Sequence, residues 1–151
     1  MQFSTSAVLS TLSLLALTQA RIIGLSAPAT IAAGQPFTVQ LLTENYVQSV
    51  YDVGAAFGVA PGSGYPAGSD YPASLGTVIG SAGIGAAGSN VVTPLSFTVA
   101  IAPGYPAGEA VLSASVMSRY GAVAGPTLTG WNVTVTIGSE TSGVVSSTTS
   151  S

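Results

Sequence analysis

The sequence contains no cysteine, no histidine and no lysine, and each absence removes a class of chemistry. Without cysteine there is no disulfide, no thiol nucleophile and no thiolate metal ligand. Without histidine there is neither an imidazole base nor a histidine metal ligand. Without lysine there is no Schiff base and no lysine to hold a nucleotide phosphate. Any enzymatic mechanism in this chain would therefore have to depend on carboxylates.

Charge is also scarce, because charged residues make up only 5% of the 151 residues. An average soluble domain contains about 25%. The two basic residues, Arg21 and Arg119, face five acidic ones and give a net charge of −3. Nucleic acids and anionic membranes require clustered positive charge, so this composition excludes both as partners. Polarity comes from Ser, Thr, Gly, Gln and Asn, which is typical of secreted proteins.

The length fits one domain with a segment on either side. Residues 1–20 predict a cleaved secretory signal, since the apolar run at 7–17 is too short to span a bilayer and Ala20 is a small residue at the cleavage site. Residues 21–138 form the predicted domain. Residues 139–151 are nearly all Ser, Thr, Gly and Val, and they predict a disordered tail without a membrane anchor.

Apolar and polar residues alternate along much of the domain, and no stretch has a helical period. The strands predicted from this alternation span residues 22–26, 37–43, 51–59, 75–79, 91–101, 110–116 and 131–137. Such a chain buries its apolar faces best as two packed antiparallel sheets. The sequence therefore predicts an all-β, immunoglobulin-like antiparallel β-sandwich of about seven strands.

The third predicted strand assigns Tyr51, Val53 and Phe57 to the core. Its other face carries Asp52 among small residues, including Gly54. One explanation for a bare face of this kind is close cover by a neighbouring loop. The alternative is a flat patch, or an edge that accepts a partner strand.

Acidic and aromatic residues concentrate between residues 41 and 71, so this stretch is the predicted contact region. The partner-binding candidates are Glu44, Asn45, Tyr46, Gln48, Asp52, Tyr65, Asp70 and Tyr71. The stretch ends in a Tyr-Pro loop containing the first copy of GYPAG, a motif that occurs at 64–68 and again at 104–108. The repeat indicates either a turn with its Tyr packed over a sheet end or an exposed aromatic on a stiff loop.

Two motifs carry possible chemistry. A glycosidase would draw its carboxylate pair from Glu44, Asp52, Asp70 and Glu109. These carboxylates are scattered, and turns or an outer strand face explain them as well, so the sequence predicts a protein that is not an enzyme and that needs no cofactor or metal.

The other motif is the N-glycosylation sequon Asn132-Val133-Thr134. The alternation that buries Trp131 and Val133 turns Asn132 outward, which predicts glycosylation at Asn132.

Several segments resemble the fungal necrosis-inducing secreted protein 1 family. They are TENYVQSV at 43–50, AFGVAPGSGYP at 56–66, SLGT at 74–77, the Pro-x-Gly turn at 106–108, YGA at 120–122 and NVTVT at 132–136. The resemblance covers roughly residues 21–138, and the chain departs from the family pattern by an insertion at 67–72. It makes residues 44–52 the stronger part of the predicted contact region and the Tyr-Pro loop the weaker part.

The resemblance implies a small secreted effector that binds receptor-associated protein kinases of the host plant, suppresses pattern-triggered immunity and can induce cell death. No catalytic motif accompanies the family. Because kinase domains lie in the host cytosol, this function requires translocation into the host cell, which a cysteine-free fold permits and a glycan at Asn132 would hinder. The alternative is a cell-wall or carbohydrate-associated module whose exposed Tyr rings stack on sugars.

Overall fold

Nine strands and one short helix make up residues 19–62 and 74–150, the part of the chain that the computed structural model describes. The elements are β1 (Ala20–Pro28), β2 (Thr30–Ala32), β3 (Pro36–Asn45), β4 (Val50–Pro61), β5 (Thr77–Gly83), α1 (Gly85–Gly88), β6 (Leu95–Ala100), β7 (Gly108–Tyr120), β8 (Gly125–Gly138) and β9 (Val145–Thr149). Residues 1–18 of the predicted signal lie outside the described part. No helix within the described part is both long and apolar enough to cross a membrane.

The strands form two sheets that pack face to face. The four-stranded sheet has the order β6-β3-β1-β9, and the five-stranded sheet has the order β2-β8-β7-β4-β5. All neighbours pair antiparallel except β2 and β8, which are parallel. The predicted all-β sandwich is confirmed, while the immunoglobulin-like connectivity stays a prediction. The strands absent from the prediction are the short β2 and the terminal β9.

The core lies between the sheets and is filled by the inward residues of both. Leu25, Val39 and Leu41 come from the four-stranded sheet, and Leu112 and Val135 from the five-stranded sheet, all fully buried. Each such side chain contributes about 1.5–3 kcal/mol by leaving water. Since no disulfide is present, this packing has to hold the two sheets together.

A β-bulge in β4 corrects the predicted orientation of its first residues. Tyr51 and Val53, assigned to the core, are 38% and 39% exposed, whereas Asp52, assigned to the partner surface, is 2% exposed. The pairing with β7 passes from Asp52 directly to Gly54, so Val53 is an extra residue that inverts the alternation. Beyond the bulge the predicted alternation holds, and Phe57 is buried in the core as expected.

The C-terminal segment differs from the predicted disordered tail. Residues of β9 pair antiparallel with β1, from Gly24 opposite Thr149 to Pro28 opposite Val145. The edge of β1 offers unpaired backbone groups, and backbone pairing requires no apolar side chains. Gly24 permits this approach, because a Cβ there would overlap the carbonyl oxygen of Thr148.

Candidate functional site

Two connections lie side by side at one end of the sandwich, which we call the loop end. They are residues 46–49, between β3 and β4, and residues 121–124, between β7 and β8. The Gly121 N–H donates a hydrogen bond of 2.9 Å to the Ser49 carbonyl and joins the two connections. The Ala124 N–H donates to the Gly121 carbonyl at 3.1 Å and closes the second turn, in which both residues have positive φ. The backbone of the loop end is therefore fixed by hydrogen bonds.

A cluster of four side chains supports the loop end from the sheet side. The Arg21 Nη2 lies 2.7 Å from the Glu44 Oε1 in an ion pair. The same guanidinium lies 4.7 Å from the centre of the Tyr46 ring, which meets the Tyr120 ring edge-on at 5.9 Å. The ion pair is partly exposed and contributes at most about 1 kcal/mol. Its main effect, together with the aromatic contact, is to fix Tyr46 at the base of its loop.

Asp52 lies beneath this cluster, inside the sandwich. Its carboxylate accepts a hydrogen bond from the Ser118 hydroxyl on the paired strand. Burial raises the pKa of Asp52, and the Ser118 hydrogen bond offsets part of that rise. Burial also raises the pKa of Tyr120, and the nearby Asp52 charge adds to it. Asp52 consequently belongs to the support of the loop end, and it does not reach a partner.

The segment after β5 holds the first residues of β4 in place. The Asn90 side chain accepts a hydrogen bond from the Val50 N–H at 3.0 Å and donates one to the Val50 carbonyl at 2.8 Å. The Ser89 hydroxyl accepts from the Asp52 N–H at 2.8 Å and donates to the Gly85 carbonyl at 2.7 Å. These side chains replace the backbone of a neighbouring strand, and they fix where β4 begins beside Tyr120.

The structure brings part of the predicted contact set together. Glu44 and Tyr46 belong to the supporting cluster, and Asn45 and Gln48 are exposed at the loop end. Asp52 is buried and is excluded as a contact residue. The remaining candidates, Tyr65, Asp70 and Tyr71, lie outside the described residues, as does the first GYPAG motif.

The second GYPAG motif, at 104–108, lies within the described residues. Its tyrosine, Tyr105, is half-buried and packs against the core, and the Tyr105 N–H donates to the Ala102 carbonyl at 3.2 Å. This copy therefore follows the interpretation of a turn with its tyrosine over a sheet end.

Two exposed valines at the loop end were not singled out from the sequence. Val47 is 88% exposed and Val123 is 91% exposed, the highest values among the large apolar side chains of the described residues. They lie on the two joined connections although 76 positions separate them in the chain. The sequence shows only an isolated valine within each turn. That the two turns lie side by side depends on the pairing of β4 with β7.

The chemistry of the described residues is limited. They contain no group of three or more acidic, histidine or cysteine side chains arranged to hold a metal ion. What the loop end offers is two apolar side chains beside the amides of Asn45 and Gln48, on a fixed backbone. Such an arrangement suits contact with another macromolecule.

Comparison with known proteins gives one clear family assignment. The sequence model of the Nis1 family matches residues 18–136. A protein of Colletotrichum orbiculare named necrosis-inducing secreted protein 1 is 43% identical over 143 residues, covering 94% of this chain and 84% of the relative. A protein of the same name from Colletotrichum higginsianum is 41% identical and covers 94% of both chains.

The structural comparison is much weaker. The superoxide reductase (neelaredoxin) of Ignicoccus hospitalis aligns over 80% of both chains at 14% identity with a TM-score of 0.41, which is too low to carry an argument.

Proposed function

Since this chain belongs to the Nis1 family, we propose that it is a secreted necrosis-inducing effector that acts by binding and not by catalysis. Its targets are receptor-associated protein kinases of the host plant, and binding suppresses pattern-triggered immunity. The family assignment supports the effector role, and the loop end supplies a surface for the kinase. The predicted resemblance to this family is confirmed by the family match.

The observation that carries the proposal is the pair of exposed valines at the loop end. A water-exposed valine gains about 1.5 kcal/mol or more when a partner buries it completely. The surrounding contacts already fix the backbone that presents Val47 and Val123, so little conformational entropy is lost when a partner binds. The binding energy expected here therefore comes from burial of apolar area on a fixed backbone.

The arrangement of carboxylates supports binding over hydrolysis. Glu44 is held in an ion pair with Arg21, and Asp52 is buried. Asp52 is opposite Ser118, nine residues along β7 from Glu109, which places the two acidic residues about 30 Å apart at 3.3 Å per residue. A glycosidase pair lies within about 10 Å.

A pull-down with purified host immune kinases tests the proposal. The test variant is Val47→Ser with Val123→Ser, and the matched control is Val78→Ser with Val144→Ser, which changes two exposed valines at other places. We expect the wild type and the control to bind equally and the test variant to bind at least about tenfold more weakly, which corresponds to 1.4 kcal/mol. Binding by the test variant at wild-type strength would move the site elsewhere. Failure of the folded wild type to bind would end the kinase proposal.

The alternative, a carbohydrate-associated module, predicts co-sedimentation with chitin or glucan. Stacking on a sugar requires an open ring face. Arg21 covers the ring of Tyr46, and Arg119 lies 4.5 Å from the ring centre of Tyr51. These two tyrosines therefore disfavour the alternative. Sedimentation with chitin or glucan in the absence of kinase binding would favour it.

A further inference from the structure

The outer face of the five-stranded sheet is covered over one half and open over the other. In the covered half Val111 and Ser113 of β7 are buried although they point away from the core. The chain at Leu75 approaches so closely that a Cβ at Gly58 would overlap the Leu75 carbonyl oxygen. In the open half Met117 is 45% exposed and Leu128 is 54% exposed. The open half thus exposes two large apolar side chains on the outer face of the sheet.

The register of the strands shapes this open half into a shallow groove. One row across the sheet consists only of small residues, namely Ser81, Ala56, Ser115 and Gly130. The row beside it, toward the loop end, carries the larger side chains of Met117 and Leu128, which are paired with each other. The small row therefore forms the floor and the apolar pair forms one wall. Val53, extruded by the bulge, adds to the same wall.

Asn132 occupies the next row on the other side of the floor. It is two residues from Gly130 on β8 and is paired with Ser113 of β7, so it faces the same outer side. Its side-chain amide is half-buried and makes no hydrogen bond to the described part of the chain. Thr134, the third residue of the sequon, is exposed. The first residue of the sequon thus lies at the edge of the groove, and glycosylation of its side-chain amide would break no hydrogen bond with the described residues.

We propose that Asn132 carries an N-linked glycan whose first two N-acetylglucosamine units run along β8, cross the floor of the groove at Gly130 and cover Met117 and Leu128. Gly130 and Leu128 follow at about 7 and 13 Å from Asn132 along the strand, within reach of a disaccharide. The C–H face of the second sugar ring packs on the apolar wall, and the hydroxyl and amide groups of both rings face Ser115 and water. The glycan removes an exposed apolar patch that would otherwise favour aggregation.

The attachment is a group transfer with no redox change. The donor is an oligosaccharide linked to a lipid through a diphosphate, and the reaction precedes folding in the secretory pathway. The Asn132 Nδ2 attacks the anomeric carbon, the new C–N bond forms, and the C–O bond to the diphosphate breaks. The amide proton leaves with the diphosphate.

The test uses the full chain secreted from a yeast host, with the glycosylation site identified by peptide mass spectrometry. Binding of an environment-sensitive hydrophobic dye then reports the open patch. We expect the wild type to carry a glycan at Asn132 and to bind little dye, and Asn132→Gln to bind several-fold more. In the background Met117→Ser with Leu128→Ser, removal of the glycan is expected to leave dye binding unchanged.

A matched control separates cover of the patch from a general effect of glycosylation. Glu140→Asn creates a sequon with Ser142 in the exposed turn after β8, ten residues along the chain from Gly130. Combined with Asn132→Gln, it moves the glycan away from the groove, and dye binding should stay high. A secreted wild type without a glycan at Asn132 would overturn the proposal. So would equal dye binding with and without the glycan, or a dimer that buries the patch in both forms.

Discussion

Removal of β9 is the perturbation that tests most directly whether the C-terminal segment belongs to the fold. The chain contains a single tryptophan, Trp131, which is buried and donates a hydrogen bond of 2.9 Å from Nε1 to the Ser150 hydroxyl. Two backbone bonds of 2.8 Å bracket the strand, from Ala29 N–H to the Val144 carbonyl and from Ser150 N–H to the Ile23 carbonyl. A chain that ends at residue 143 loses all three bonds.

The size of the effect follows from the tryptophan. Ser150→Ala leaves a buried indole N–H without its partner, which costs about 1–3 kcal/mol of unfolding free energy. Truncation removes the same bond together with the backbone pairing of β9 with β1, so we expect a loss of at least this size. The side chains of β9 are exposed or half-buried, and their removal adds little. Ser147→Ala on the same strand is the control and should lie within about 0.5 kcal/mol of the wild type.

Guanidinium unfolding followed by tryptophan fluorescence measures these changes, since the emission has one source. We expect the truncated chain to have a red-shifted emission and a lower midpoint. In the full chain, hydrogen exchange at Ala29 and Ser150 should be slower than in a free peptide. The reasoning is refuted if truncation changes neither emission nor midpoint and both amides exchange at free-peptide rates.

The remaining predictions concern positions where the structure leaves little freedom. Gly58→Ala should lower the free energy of unfolding by about 1–3 kcal/mol in chemical denaturation, because the added Cβ meets the backbone of Leu75. Gly83→Ala, which adds a Cβ into open space, should change stability far less. Equal effects of the two substitutions would contradict the close approach of Leu75 to Gly58. Burial raises the pKa of Asp52 above its ordinary value of 3.8, so its contribution to stability is greatest below pH 3.8 and is lost as pH rises through the higher folded pKa. The stability of Asp52→Asn relative to wild type should therefore increase as pH rises through that window, by up to about 1.4 kcal/mol per pH unit, and a constant difference would show that the folded pKa of Asp52 is not raised.

The sequence predicts the strands well where the alternation runs unbroken. In β8, Trp131, Val133 and Val135 are buried as predicted because β7 and β8 pair without a register shift. In β4 the same reasoning is wrong for Tyr51 and Val53. A bulge inserts one residue without any change in composition, and Val53 is an ordinary strand residue in its local sequence.

The candidate site is predictable only in part. The polar character of residues 44–48 indicates the end of a strand and a connection, and the structure has the end of β3 and the following connection there. Their role as contact residues stays a prediction. The contribution of Val123 is invisible locally, since it depends on a contact between distant connections. The order of β9 is equally hidden, because Ser and Thr residues carry no apolar pattern and the strand forms through the free edge of β1.

The pairing of β1 with β9 also decides where the chain can be joined to another protein. Arg21, the first residue after the predicted signal, is opposite Glu44 near the loop end, and β9 runs antiparallel to β1, so Ser150 comes back toward the same end. A bulky reporter attached at either position would stand near the loop end and compete with a partner for space. The turn at 102–107 lies at the opposite end of the sandwich, where β6 pairs with the start of β3. An insertion there leaves the loop end accessible, and a short linker from Ser150 to Arg21 would allow the domain to be permuted to start at that turn.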